Sequence, residues 1–158
     1  MTSHPMTPRS AALNVLARRN RTAHDVATRL VRKGYEAGDA AGVVADLTCV
    51  GLINDEAFGR ARARARAEGR LLGPRVVLAD LIHQGVPREL AASIVREVYA
   101  EFPERMLAGR VIARFGGLGD RAARRRLHDR LARRGFSTDV IRDVMAHAIH
   151  DDEGGQWD

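Results

Sequence analysis

The chain predicts an all-α fold: three tandem three-helix repeats forming an elongated, slightly curved array. Three observations lead there. One mark is written three times, as Leu30-Val31-Arg32-Lys33-Gly34-Tyr35, Leu81-Ile82-His83-Gln84-Gly85-Val86 and Leu131-Ala132-Arg133-Arg134-Gly135-Phe136, with its glycines 51 and 50 residues apart. Four residues ahead of each leucine stands another aliphatic (Val26, Val77, Leu127). Each mark therefore reads as a helix face closed by a glycine stop, with an apolar residue behind it that pins the cap. Like units at that period bury jointly what one cannot bury alone. The second observation is an apolar content of 45% with only 4% aromatics, which suits Ala/Leu/Val helix packing. The third is that no segment makes a convincing strand.

Residues 1–8 carry two prolines and little apolar content, and read as a disordered lead. The first repeat spans 9–53. Its first helix, over about Arg9 to Arg19, presents Ala12, Leu13, Leu16 and Ala17 on one face. Thr22 with Asp25 three residues on resembles a capping box and opens the second helix, which buries Val26 and Leu30. Asp25 also stands at i, i+4 to Arg29. The third helix has Val43, Val44 and Leu47 as its seam and Gly51 as its stop.

The second repeat, 54–102, opens at Asn54-Asp55-Glu56, an N-cap followed by acids that suit the positive end of a helix. Its first helix contains Arg60-Ala61-Arg62-Ala63-Arg64-Ala65-Arg66. Strict alternation argues for a strand, but Ala and Arg are strong helix formers and poor strand formers. On a helix, Ala57, Phe58, Ala61 and Ala65 form a narrow apolar stripe, flanked by Arg60 with Arg64 and by Arg62 with Arg66. Pro74 restarts the chain at a first helical position, where its missing N–H costs nothing, and Pro87 opens the next helix in the same manner.

The third repeat, 103–149, begins with Met106, Leu107, Val111, Ile112 and Phe115 on a helix ending at Gly116-Gly117. Asp120 caps the next helix, whose core line is Ala123, Leu127 and Leu131, and Ser137 caps the last. Residues 150–158 form an acidic tail. The repeat holds eleven arginines against five acids, so the field of a chain with net charge +6 is concentrated here.

Lys33 is the only lysine, so nearly every cation is a guanidinium, a planar fork suited to phosphate and carboxylate. A pI near 10.8 makes a polyanion or an acidic protein surface the natural partner. A lone cysteine, Cys49, precludes an internal disulfide, and no apolar run is long enough to span a bilayer. The expectation is a cytoplasmic, monomeric protein without cofactor, metal or membrane contact.

The binding candidates are Arg124, Arg125, Arg126, Arg130, Arg133 and Arg134 in the third repeat. Arg60, Arg62, Arg64, Arg66 and Arg75 form a second set. Arg126, Arg130 and Arg133 share one helical ridge that could track a phosphate backbone or an acidic protein groove. The plain alternative is a solvated face in an arginine-biased composition. Base stacking needs exposed aromatics, and Phe58, Phe115, Phe136, Tyr35 and Tyr99 stand mostly at core or cap positions. His147, His150 and Asp151 read as polar surface rather than a metal site, and Cys49 as a small buried hydrophobe without a base to activate it. Gly116-Gly117-x-Gly119 lacks the Lys-Ser/Thr of a phosphate loop. No enzyme is expected.

Several ordered pieces resemble the RecX regulatory proteins of bacteria. They are Ala12-Leu13-x2-Leu16-Ala17-Arg18-Arg19, Leu30-x2-Lys33-Gly34-Tyr35, Gly51-Leu52-Ile53-Asn54-Asp55-Glu56-x-Phe58, Gly73-Pro74-Arg75 and Leu131-x-Arg133-Arg134-Gly135-Phe136-Ser137. The resemblance covers roughly residues 9 to 149. It implies tandem three-helix repeats that lodge in the groove of the RecA recombinase filament on single-stranded DNA. There they inhibit ATP hydrolysis, strand exchange and co-protease activity, which restrains recombination, DNA repair and the SOS response. The sequence departs from the family pattern at Arg62, where an aromatic is usual, at Val76-Val77, where a basic pair is usual, and at Asp80. The alternative function is a basic helical module that binds nucleic acid directly, without RecA.

Overall fold

The computed structural model describes residues 6–115 and 119–154. The Gly116-Gly117 stop, residues 1–5 of the lead and residues 155–158 of the tail lie outside them. Among the described residues there are nine α-helices and no strand. They are α1 (Pro8–Leu16), α2 (Ala23–Arg32), α3 (Ala37–Cys49), α4 (Asp55–Arg64), α5 (Pro74–His83), α6 (Arg88–Glu101), α7 (Glu104–Phe115), α8 (Arg121–Arg133) and α9 (Thr138–Gly154). One π-helical turn, Ala65–Gly69, prolongs α4. In each unit the three helices pack on one another. The surface, 10270 Å², exceeds the roughly 7,800 Å² of a compact monomer of this mass, as an elongated array requires.

The repeated mark forms the same cap three times. Gly34, Gly85 and Gly135 all adopt φ between 86° and 94°. In each, the glycine N–H bonds back to the carbonyl three residues earlier, and the next N–H bonds to the carbonyl of the leucine: Tyr35 to Leu30, Val86 to Leu81, Phe136 to Leu131. That is the Schellman pattern, with its apolar contact across the cap. Gly51 closes α3 likewise, Leu52 bonding to Leu47. At the other ends, Thr7, Thr22, Asn54 and Asp120 accept from the backbone N–H three residues on.

The caps also join the units. At the first joint the Thr22 hydroxyl donates to the Gln84 carbonyl at 2.7 Å, and Asp55 accepts from the Ala23 N–H at 2.8 Å. At the second, the Gly73 N–H donates to the Arg134 carbonyl at 2.7 Å and the Arg75 N–H to the Gly135 carbonyl at 3.3 Å. In both, the start of one unit's second helix meets the end of the next unit's second helix. Orphan N–H groups and orphan carbonyls are satisfied together, positive end against negative. At the second joint the approach leaves no room for side chains. A Cβ on Gly73 would overlap the Gly135 and Phe136 backbone, and one on Gly135 would lie 2.6 Å from the Val76 nitrogen. The first unit keeps its own core around Val26, Leu30 and Leu47, while the second and third share one continuous core.

Several faces differ from the sequence expectation. In α1 the buried pair is Ala11 and Ala12, and Leu13 is exposed, because the helix packs through its smallest residues. In α4 the buried line is Gly59, Ala63 and Ala67, so Ala57, Ala61 and Ala65 face outward. Gly59 decides the phase, since a Cβ there would meet Ile94 of α6 at 2.6 Å. Met106 and Phe115 are exposed, leaving Leu107, Ala108 and Val111 as the core of α7. Cys49 is exposed as well. Asp25 does not close the capping box but pairs with Arg21 and Arg29. Pro87 is an N-cap rather than a first helical residue. Thr7 and Pro8 belong to the start of α1, and α9 runs through Gly154, into the acidic tail.

The joint predicts a contrast between glycines. Gly73→Ala should destabilise the protein by about 1–3 kcal/mol through overpacking. Gly109→Ala, mid-helix with open space around it, should be neutral or stabilising by up to about 1 kcal/mol. Equal effects in urea unfolding would contradict the joint.

Candidate functional site

The two arginine sets meet different fates. Those of α4 are consumed within the second unit. Arg60 pairs with Glu56 at 2.9 Å and Glu97 at 2.8 Å, and Arg64 with Glu101 at 2.5 Å. On the other flank Arg62 grips Asp80 through two bonds, at 2.6 and 2.9 Å, and Arg66 reaches the same carboxylate at 3.3 Å. The two ridges thus tie α4 to α6 on one side and to α5 on the other. Burial alone would raise the Asp80 carboxyl, but the hydrogen bonds and charges of Arg62 and Arg66 outweigh it and hold it below the usual carboxylate value. The Arg75 side chain is exposed, and its N–H serves the joint.

The arginines of α8 are arranged otherwise. Leu127 and Leu131 face the core, which leaves Arg125, Arg126, Arg130 and Arg133 exposed. Among the described residues, no carboxylate lies in ion-pair reach of these four; Asp129, the acid of this helix, stands 3.5 Å from His128. Arg124 is half-buried and has contacts of its own. Arg134 turns toward the second unit, donating to the Arg70 carbonyl at 2.5 Å and the Leu71 carbonyl at 3.2 Å.

Arg134 and Arg130 also converge on a side chain that the sequence placed in the core. The guanidinium carbons of Arg130, Arg134 and Arg114 lie 4.6, 5.3 and 5.4 Å from the centroid of the Phe115 ring, which is 41% exposed. Around them opens a cavity of about 530 Å³, lined also by Gly69, Arg70, Leu71, Leu72 and Arg133. Burial, with the charges of Arg130 and Arg114, pushes the Arg134 guanidinium below its usual value. The third-repeat candidates therefore divide: Arg130, Arg133 and Arg134 gather here, whereas Arg124, Arg125 and Arg126 do not line the cavity. Arg70, Arg114 and Phe115 were not singled out for binding. Phe115 continues the Leu107/Val111 line and so reads as core, but α7 has run past the core by then.

Elsewhere His147 bonds the Asp143 carbonyl and Arg105. Among the described residues, no three His, Cys, Asp or Glu side chains are grouped to hold a metal ion, and no helix is long and apolar enough to cross a membrane.

The Asp80 clamp has a pH signature. Asp80→Asn should cost roughly 1–3 kcal/mol at neutral pH. Because the folded carboxyl titrates below its unfolded value of about 3.9, its contribution is present above that value and is lost as pH falls through the folded pKa. The gap in melting temperature between wild type and variant should therefore be constant above about pH 5 and close on further acidification.

Comparison with known proteins accounts for all three units. The chain matches the first three-helix domain of RecX over residues 9–47, the second over 54–93 and the third over 105–145. It is 32% identical over 151 residues to the regulatory protein RecX of Halorhodospira halophila, covering 94% of this chain and 92% of that one. With the RecX of Stenotrophomonas maltophilia it shares 36% over 138 residues, covering 86% and 83%. In three dimensions it resembles the crystal structure of RecX from Lactobacillus salivarius, with a TM-score of 0.76 over 89% of this chain and 93% of that one; at 21% identity this is a likeness of fold. With all three domains present in order along a helical array of three units, the chain belongs to the RecX family of regulatory proteins.

Proposed function

We propose that this protein is a non-enzymatic regulator that binds the RecA recombinase filament on single-stranded DNA. In this reading it inhibits the filament's ATPase, strand-exchange and co-protease activities, and so restrains recombination and the SOS response in the cytoplasm. One observation supports the choice of surface. Arg125, Arg126, Arg130 and Arg133 of α8 have no carboxylate in ion-pair reach among the described residues, whereas every arginine of the α4 run has one. Guanidiniums already neutralised within their own unit gain little from an external anion. Exposed, uncompensated ones gain charge-assisted bonds to phosphate or to acidic side chains. Family membership supplies the partner, and the α8 ridge of Arg126, Arg130 and Arg133 supplies the contact.

The test is a titration of RecA's DNA-dependent ATPase. Wild type should inhibit at stoichiometric ratios, and Arg126→Gln/Arg130→Gln/Arg133→Gln should need about tenfold more protein or worse. Arg60→Gln/Arg64→Gln should inhibit as wild type does, at a stability cost of under about 1 kcal/mol per exposed pair. Full inhibition by the folded triple variant would remove the ridge from the mechanism. Unchanged ATPase with wild type would remove RecA inhibition itself. Binding to DNA as tight without RecA as with it would favour a direct nucleic-acid module.

A further inference from the structure

We infer that the cavity between the second and third units is an oligophosphate-binding site. Its ligand carries two or more adjacent phosphate charges, and the seat is Arg70, Arg114, Arg130, Arg133 and Arg134 around the Phe115 ring. The inference stands on the geometry of the cavity and holds whether or not the filament is the protein's target.

Charge density comes first. Three guanidiniums sit within 5.4 Å of one ring centroid, two more line the same cavity, and among the described residues no acidic side chain does. A phenyl face attracts each cation only weakly, so the cluster is left with net repulsion that an anion relieves. One monoanionic phosphodiester would leave most of this charge uncompensated. Adjacent phosphates match it, and the guanidinium fork suits their oxygens.

The floor of the cavity is built to hold one of these cations in place. After α4 the backbone makes the π-turn Ala65–Gly69, and Leu71 then adopts φ 52°. A left-handed leucine is sterically costly, and π-turns are concentrated at functional sites. Here the two irregularities lie next to the Arg70 and Leu71 carbonyls that accept from Arg134. They turn what would have been a continuing helix into the wall of a pocket. The burial that lowers the Arg134 pKa, with the charges of Arg130 and Arg114 beside it, belongs to the same arrangement. Because the wall belongs to the second unit and the remaining arginines to the third, an occupied site also clamps the joint.

Two sources offer such a ligand: successive phosphodiesters of a single strand, or the phosphate chain of a free nucleotide or polyphosphate. The full-length protein, alone, is titrated with sodium tripolyphosphate by calorimetry at low salt, and with a fluorescent oligothymidylate by anisotropy. Tripolyphosphate should bind and raise the melting temperature. Arg114→Gln/Arg130→Gln, which removes two side chains seen only in ring contacts, should weaken it about tenfold or more. Arg88→Gln/Arg96→Gln, an equal loss of charge on exposed positions of α6, should change it less than about twofold, the range of a purely long-range effect. Arg133→Gln, at an exposed rim position, repeats the comparison should the double variant not fold. Displacement of the oligothymidylate by tripolyphosphate identifies strand phosphates as the source; binding without displacement identifies free oligophosphate. No binding of tripolyphosphate, or an equal loss in the Arg88/Arg96 variant, overturns the site. Tighter binding of oligoglutamate than of tripolyphosphate overturns it in favour of an acidic protein segment.

Discussion

The array depends on one contact made twice, a helix start set against the helix end of the following unit. Any helix leaves unpaired N–H groups at one end and unpaired carbonyls at the other. Here α2 offers Thr22 to Gln84 of α5, and α5 offers Gly73 and Arg75 to Arg134 and Gly135 of α8. The second helices therefore run head to tail through the protein, and each joint satisfies polar groups at helix ends that would otherwise need water. The second joint is backbone against backbone, whereas the first is made through the Thr22 hydroxyl and the Asp55 carboxylate. In both, the repeated glycine does more than end a helix: it admits the next unit's neighbour where a methyl group could not fit.

Charge is apportioned along this frame by what each unit needs for its own packing. The α4 helix packs through Gly59, Ala63 and Ala67, which bury little apolar area. Its arginines add ion pairs to α6 and a shared, partly buried carboxylate on α5. Exposed pairs of this kind contribute little each, while the bidentate Arg62–Asp80 clamp contributes more. The α8 helix has Leu127 and Leu131 for its core, so the exposed Arg125, Arg126 and Arg133 carry no packing duty. A departure from the family pattern at Arg62 is matched by one at Asp80, and the two residues are bonded to each other.

Three-helix units, their order, most cap residues and both families of arginine could be read from the chain. So could the split of the α4 cations into two ridges, because a spacing of four residues fixes the side of a helix on which a charge lies. The phase of α4 could not. Ala61 with Ala65 and Ala63 with Ala67 are equivalent in an alternating run, and only the closeness of Ile94 to Gly59 selects between them. The exposure of Phe115 is illegible for a related reason, since helical periodicity says which face a residue is on but not where the core ends along that face.

By itself, the sequence determined local events: where helices stop, which residues cap them, and that the pattern recurs three times. These depend on neighbours a few residues away, and the chain carries them explicitly. Only the tertiary structure decided which cations are spent and which remain. Arg62 and Asp80 lie 18 residues apart, Arg64 and Glu101 37, and Arg70 and Arg134 64. An ion pair, or a cluster of like charges around an aromatic ring, is a relation between distant segments. It becomes visible only once the joints have set one unit against the next.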